Sequence, residues 1–364
     1  MVNEQADEHG GNVWKESARL GLGVDELIDF SASINPLGPS PRALEAIRDN
    51  LLWVKHYPDP SSTALRAALA RYLEVRPENL MVGNGAAELI GLVGGWVNPG
   101  RLVTLLPTFS EYRRAAAGSD FGPVALRAAD GFCFRMPEGG WEDFLANRDL
   151  VFICNPNNPT GTLVSKEELL DLAEVVRARD SWLVVDQAFL DFIPRPADYS
   201  MVEVAVTMDR VLVLGSLTKF FALPGLRLGY LVGMPATLEE LRKRAVPWRV
   251  NILAQVAGTA SLEDEEYIAA TRDLIVKEKE NLYRDLSVIP GLKPYHPAAN
   301  FILVNCFQTG LTASHLSQAL ARRGILIRDC ANFQGLDPYF FRVAVRGPAD
   351  NAALVAGLKE TLMS

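Results

Sequence analysis

The chain has 364 residues, 49% of them hydrophobic and 22% charged, which is the profile of a soluble globular protein with room for a large core and two lobes. A formal net charge of −8, without a basic tract, points away from nucleic acid and requires any anionic ligand to find a local arginine pocket. Cys133, Cys154, Cys306 and Cys330 are scattered, as are the histidines; this argues against a metal site and fits a reduced, cytoplasmic protein.

The N-terminal stretch 1–21 is polar and acidic, unlike a signal peptide or a membrane anchor. Further on, VGNGAAELIGLV (82–93) places glycines before a helix opening at Ala86 and Ala87. Free N–H groups and the helix dipole there suit a phosphate, although such turns also begin helices that bind nothing. Apolar runs at 101–108, 149–156, 182–189, 210–216 and 229–233 predict buried strands. Between them, 165–180 predicts an amphipathic helix with Ser165 as N-cap and Glu168 closing a capping box. Strand alternating with helix predicts an α/β fold with a mostly parallel central sheet. Beyond residue 245 the pattern changes to a smaller α+β lobe. It has a long helical stretch over 253–287, a strand at 301–307, a helix near 312–323, strands at 325–330 and 339–346, and a last helix near 349–362.

Ligands of open α/β sheets bind beyond the carboxyl ends of the strands. There the chain places NPNNPTG (155–161), Asp186 and GSLTK (215–219). The first is a stiff turn at the least. The aspartate is a helix cap or a functional group. Lys219 lies in the apolar run DRVLVLGSLTKFFALPGLRLGYLVG (209–233), with Arg227 after it. A buried ammonium is costly unless paired or deprotonated, though a lysine can also snorkel to water. Together these groups form one chemical set. An aspartate can hold a pyridine nitrogen protonated, and an asparagine can donate to a phenolic oxygen. A helix N-terminus, a serine and an arginine can hold a phosphate ester, and a lysine can form an imine with an aldehyde. That set matches pyridoxal 5′-phosphate (PLP). A nucleotide-binding reading of GNGAAE lacks both GxGxxG and GxxxxGK spacing and leaves Lys219 unexplained.

SLTKFFALPGLRLGY (216–230) and NPNNPTG, with DQAF (186–189) between them, resemble the fold-type I PLP-dependent enzymes of the aspartate aminotransferase family, and the likeness runs over nearly the whole chain. The resemblance implies a large PLP-binding α/β domain over 41–245 and a small α+β domain built from 1–40 together with 246–364. It makes Lys219 the imine-forming lysine, Asp186 the partner of the pyridinium nitrogen and Asn158 the donor to the ring oxygen. Ser216, Arg227 and the backbone of Ala86 and Ala87 would bind the cofactor phosphate, and Phe109 would stack on the ring. Tyr57, in HYPDP (56–60), would reach the cofactor phosphate of a neighbouring subunit, implying a homodimer; otherwise it marks a surface turn.

Within the family, HGGN (9–12), DFSASINPLGPS (29–40) and 325–346 are similar to segments of the threonine-phosphate decarboxylase group. Phe189 stands where the aminotransferases usually carry tyrosine, and Gln187 replaces a common glutamate. The implied substrate is a phosphorylated amino acid, L-threonine O-3-phosphate, decarboxylated for cobalamin biosynthesis. The alternatives are L-serine phosphate decarboxylation and histidinol-phosphate amino transfer. Arg342 would hold the α-carboxylate. His9, Asn35 and Arg328 would gather around the substrate phosphate, with Gly10 and Asn158 also at the substrate. Read singly, His9 belongs to a loose terminus, Asn35 to a turn before Pro36, and both arginines to strand edges.

Overall fold

Two apolar faces explain how the middle of the chain folds. The computed structural model describes residues 10–363. After a helix over Val13–Leu20, the chain forms a short strand, β1 (Ile28–Asp29). Seven strands follow: β2 (Leu80–Gly83), β3 (Arg101–Leu106), β4 (Asp120–Ala125), β5 (Asp149–Cys154), β6 (Trp182–Asp186), β7 (Val211–Ser216) and β8 (Gly229–Val232). Across the sheet they run β2-β8-β7-β6-β5-β3-β4. β8 is antiparallel to both its neighbours, while the pairs from β7 to β4 are parallel.

Every residue of β5 and β7 is buried, as expected of strands covered on both faces. Alternate residues divide between two cores. Leu150, Phe152, Leu212 and Leu214 pack with Leu89 and Val93 of the helix Ala86–Val97. Val151, Ile153, Val211 and Val213 join the core that holds Leu169, Leu172 and Val176 of the helix Lys166–Ala178. That second helix starts as its sequence predicts: Ser165 Oγ accepts from Glu168 N–H at 3.2 Å, and Glu168 Oε2 accepts from Ser165 N–H at 2.9 Å. β4 is an edge strand that the hydrophobic pattern hides, because it contains Gly122 and Pro123; an edge tolerates the missing donor.

Beyond the large sheet, the expected helical stretch is two helices, Ile252–Leu262 and Glu265–Ser287. Asp264 makes the break, its side chain accepting from Tyr267 N–H at 3.2 Å to cap the second helix. Five short strands complete the chain: β9 (Lys293–Pro294), β10 (Phe301–Asn305), β11 (Ile325–Leu326), β12 (Arg328–Asp329) and β13 (Phe340–Ala344). β12, β13, β10 and β9 form an antiparallel sheet in that order. The run 325–330, expected as one strand, therefore splits at Ile327: β11 pairs in parallel with β1, and β12 joins β13. Among the described residues, no helix is long and apolar enough to cross a membrane.

Candidate active site

Register brings the motifs to one edge of the large sheet. Gly83 and Ser216, at the ends of β2 and β7, both pair with Gly229, the first residue of β8. Cys154 pairs with Asp186, and Asp186 with Leu214. The loops that leave these positions carry Ala86, Asn158 and Lys219.

Glycine shapes an anion cradle here. Gly85 has φ +86° and ψ 164°, a conformation open essentially to glycine alone, and it precedes the helix Ala86–Val97 without giving it a side-chain cap. A Cβ on Gly85 would stand 2.9 Å from Arg227 Nη2, and one on Gly229 would stand 2.7 Å from Ala86 N. The Arg227 guanidinium thus lies against the uncapped backbone of the first turn. Ser216 and Thr218 are buried beside it, their hydroxyls 2.8 Å apart. Two hydroxyls, a guanidinium and a helix N-terminus suit a phosphate ester.

Lys219 is half-buried on the next turn, where its carbonyl accepts from Asn35 N–H at 3.0 Å. Burial, reinforced by Arg342 and Arg227, pushes its ammonium down to about 8, while Asp29 opposes the shift. Asp186 is 4% exposed. Its Oδ1 accepts from Ala188 N–H at 3.0 Å and its Oδ2 from the Tyr112 hydroxyl at 2.7 Å. Burial raises its pKa, and these two donors resist the rise.

In NPNNPTG two asparagines shape the loop. Asn155 Nδ2 donates to Val164 O at 3.0 Å and Asn157 Nδ2 to Pro107 O at 2.9 Å. Asn158 faces the other way, its Oδ1 accepting from Arg342 Nη1. Arg342 Nη2 donates to Ser31 O at 2.9 Å, and the guanidinium lies 5.1 Å from the centroid of the Phe301 ring. Its Nε is buried with no hydrogen-bond partner among the described residues, and burial pushes its pKa down to about 10. Arg328 and Arg342 are register partners on β12 and β13, and both are buried. Arg328 Nη2 donates to Asn332 Oδ1 at 2.8 Å.

A family comparison now bears on these positions. Residues 25–358 match the model of the aminotransferase class I and II family. The chain belongs to that family. It is 38% identical to the threonine-phosphate decarboxylase of Salmonella typhimurium, covering 97% of this chain and 96% of that one. It is also 38% identical to a histidinol-phosphate aminotransferase of Roseiflexus castenholzii, covering 94% and 91%. In structure it is similar to the histidinol-phosphate aminotransferase from Clostridium acetobutylicum, with a TM-score of 0.84 and 28% identity over 93% of this chain and 99% of that chain.

Family membership makes PLP the cofactor. The residues fit it: the cradle takes a phosphate, Asp186 offers a buried carboxylate, and Lys219 offers an amine that loses its proton easily. Phe109, half-buried, meets Tyr112 edge-on with centroids 5.7 Å apart. Phe189 is buried edge-on against Phe301 at 5.0 Å, and Phe301 in turn carries Arg342. Gln187 turns away, its Nε2 donating to Tyr199 O at 3.3 Å. Tyr57 is 79% exposed and packs on Trp248 at 4.7 Å, outside the site of its own chain.

In this structure the side chain of Asn35 is engaged within its own chain. Its Nδ2 lies within hydrogen-bond distance of Phe220 O at 2.8 Å, Tyr267 Oη at 2.7 Å and Thr271 Oγ1 at 2.8 Å, and the residue is 3% exposed. Asn35 ties down the loop that carries Lys219. His9 lies outside the described residues. Gly10 is exposed and leans on Ser31, whose carbonyl oxygen would be 2.2 Å from a Cβ at that position. Sequence reading missed Thr218, Tyr112 and Ser31. The signals were present: a second hydroxyl in SLTK, a tyrosine three residues after Phe109, and a serine in DFSASIN.

Proposed function

We propose that this enzyme decarboxylates L-threonine O-3-phosphate to (R)-1-amino-2-propanol O-2-phosphate, for cobalamin biosynthesis, as a cytoplasmic homodimer. The observation that carries the reading is the pairing of Arg328 with Arg342. Paired residues of an antiparallel ladder point to the same face. Two guanidinium groups there match a substrate with both a carboxylate and a phosphate. Histidinol phosphate has only one anionic group, and an aminotransferase would meet two arginines only with its dicarboxylate partner. At the same 38% identity, the threonine-phosphate decarboxylase match covers 97% of this chain and the histidinol-phosphate aminotransferase match 94%.

In this reading Ser216, Arg227 and the N–H groups of Ala86 and Ala87 hold the cofactor phosphate. Phe109 covers the ring, Asn158 Nδ2 donates to the ring oxygen, and Asp186 keeps a proton on the ring nitrogen. The ring supplies the sink for the electron pair left on Cα when CO2 departs. Arg342 grips the α-carboxylate by two N–H donors, with its position fixed by Asn158 and Ser31. Arg328, with His9 and Gly10, takes the substrate phosphate. The two grips would select which bond to Cα is broken. Lys219 Nζ then delivers a proton to Cα, so that the overall reaction takes up one proton and releases CO2.

The two-domain division, 41–245 against 1–40 with 246–364, belongs to the same proposal. It is supported by the seven-stranded sheet lying within 80–232 and by the pairing of β1 with β11. The homodimer is supported by Tyr57 and the neighbouring Leu51, Leu52, Trp53 and Val54, which stay exposed in the single chain.

The test gives purified holoenzyme L-threonine phosphate and L-serine phosphate in parallel and follows CO2 and the amine phosphate. One methyl group separates these substrates, which is worth about 1–3 kcal/mol of discrimination. Faster release from threonine phosphate is the expected result. Release only from serine phosphate would change the substrate. Silence on both, with amino transfer from histidinol phosphate to 2-oxoglutarate, would replace the decarboxylase by the aminotransferase.

A further inference from the structure

Tyr112 sits directly behind the aspartate of the site. It is fully buried, and its ring lies parallel to that of Phe152 with centroids 4.8 Å apart. A phenylalanine would fill that stack equally well. A buried hydroxyl is costly unless it is hydrogen-bonded. Here the hydroxyl donates to Asp186 Oδ2 at 2.7 Å, opposite the Ala188 N–H on Oδ1. The nearby Cys154 Sγ donates to Pro156 O at 3.3 Å and leaves the carboxylate to the phenol.

We propose that Tyr112 is a positioning residue, whose hydroxyl orients the Asp186 carboxylate and keeps it ionised, so that the proton of the Asp186–cofactor pair stays on the ring nitrogen. The inference rests on the reading of Asp186 as the ring-nitrogen partner. Burial alone makes the carboxylate more basic, which would draw that proton onto Asp186. A donor on Oδ2 opposes the tendency and fixes which lone pairs remain for the cofactor. The direction of the effect is therefore set: without the hydroxyl, the proton moves from ring nitrogen to aspartate.

The experiment loads the enzyme with PLP labelled with 15N in the ring and reads the nitrogen signal by NMR, together with the Kd for PLP. Tyr112→Phe keeps the stacked ring and removes only the hydroxyl. Its 15N signal is expected to move toward the neutral-pyridine position, and its PLP affinity to fall about tenfold, the loss expected for a hydrogen bond to a charged group. Phe152→Leu disturbs the stack and keeps the hydroxyl, so its signal is expected to stay in place. Asp186→Ala is the reference and is expected to give the neutral signal. An unmoved signal in Tyr112→Phe, beside a moved one in Asp186→Ala, overturns the role of Tyr112 and leaves Asp186 in its place. An equal movement in Phe152→Leu also overturns it, in favour of packing. An unmoved signal in Asp186→Ala rejects the underlying reading of that residue.

Discussion

Arg328 and Arg342 oppose each other as register partners on two antiparallel strands, and Arg342 donates to the side-chain oxygen of Asn158 and the carbonyl of Ser31. Arg342 rests on two oxygen acceptors and an aromatic face, and Arg328 on the Asn332 side chain and the Phe333 ring, 5.4 Å from its guanidinium carbon. Two buried guanidinium groups on one face of the sheet are placed to meet two anionic groups. Replacing Arg342 by lysine removes the two-pronged grip, and kcat/KM for the phosphorylated amino acid is expected to fall about 10- to 100-fold. Replacing Arg328 by methionine should raise KM for threonine phosphate and leave any turnover of unphosphorylated threonine unchanged. Steady-state kinetics on both substrates checks this; an equal loss on both would remove Arg328 from the phosphate.

The position of Lys219 gives a stability test in the apoprotein. Its ammonium is pushed from 10.5 down to about 8, so the unfolded chain holds the proton more tightly than the folded one. The cost of burying the charge is complete below about 8 and is lost as pH rises to 10.5. Lys219→Met should therefore raise Tm at pH 7, with the gain shrinking across that window. Thermal melts of both proteins at several pH values read it directly, and a gain independent of pH would contradict it.

Gly85→Ala tests the cradle. The substitution forces an alanine into a glycine-only conformation, at a cost of about 1–3 kcal/mol, and drives Cβ toward the Arg227 guanidinium. PLP affinity is expected to fall at least tenfold, about 1.4 kcal/mol of binding, with the seven-stranded sheet retained. Fluorescence titration with PLP, beside circular dichroism, separates the binding loss from unfolding.

Asn35→Ala distinguishes a structural amide from a ligand. Removing it leaves Phe220 O and Thr271 Oγ1 without this donor, and a stability loss of about 1–3 kcal/mol is expected. KM for the substrate should change far less than it does in Arg328→Met. Urea unfolding and kinetics together decide; a large KM effect at unchanged stability would restore Asn35 to the phosphate.

The difference between legible and illegible features follows from the range of the interactions. Asp186 is legible because a carboxylate closing an apolar strand has few cheap explanations, and the Ser165–Glu168 cap because its partners are three residues apart. Lys219 and NPNNPTG are legible because special residue types cluster within one loop. The partners of Asn35 are illegible because they lie 185, 232 and 236 residues away, where no local pattern reaches. The split of 325–330 is hidden for the same reason: β11 needs β1, and nothing within ILIRDC announces it. Tyr112 is a buried ring by pattern, and only the fold shows where its hydroxyl goes.

The stitching of β1 to the end of the chain has a consequence for synthesis. Phe30 O accepts from Ala344 N–H at 2.9 Å, Asp29 O from Arg346 Nη1 at 3.2 Å, and Ser31 O from Arg342. The first segment must therefore wait on the ribosome for partners made some three hundred residues later. Nascent chains can assemble the seven-stranded sheet while the segment around Ser31 remains unattached, since all the strands of that sheet end by Val232. The Arg342–Ser31 contact is thus the last part of the candidate site to be born.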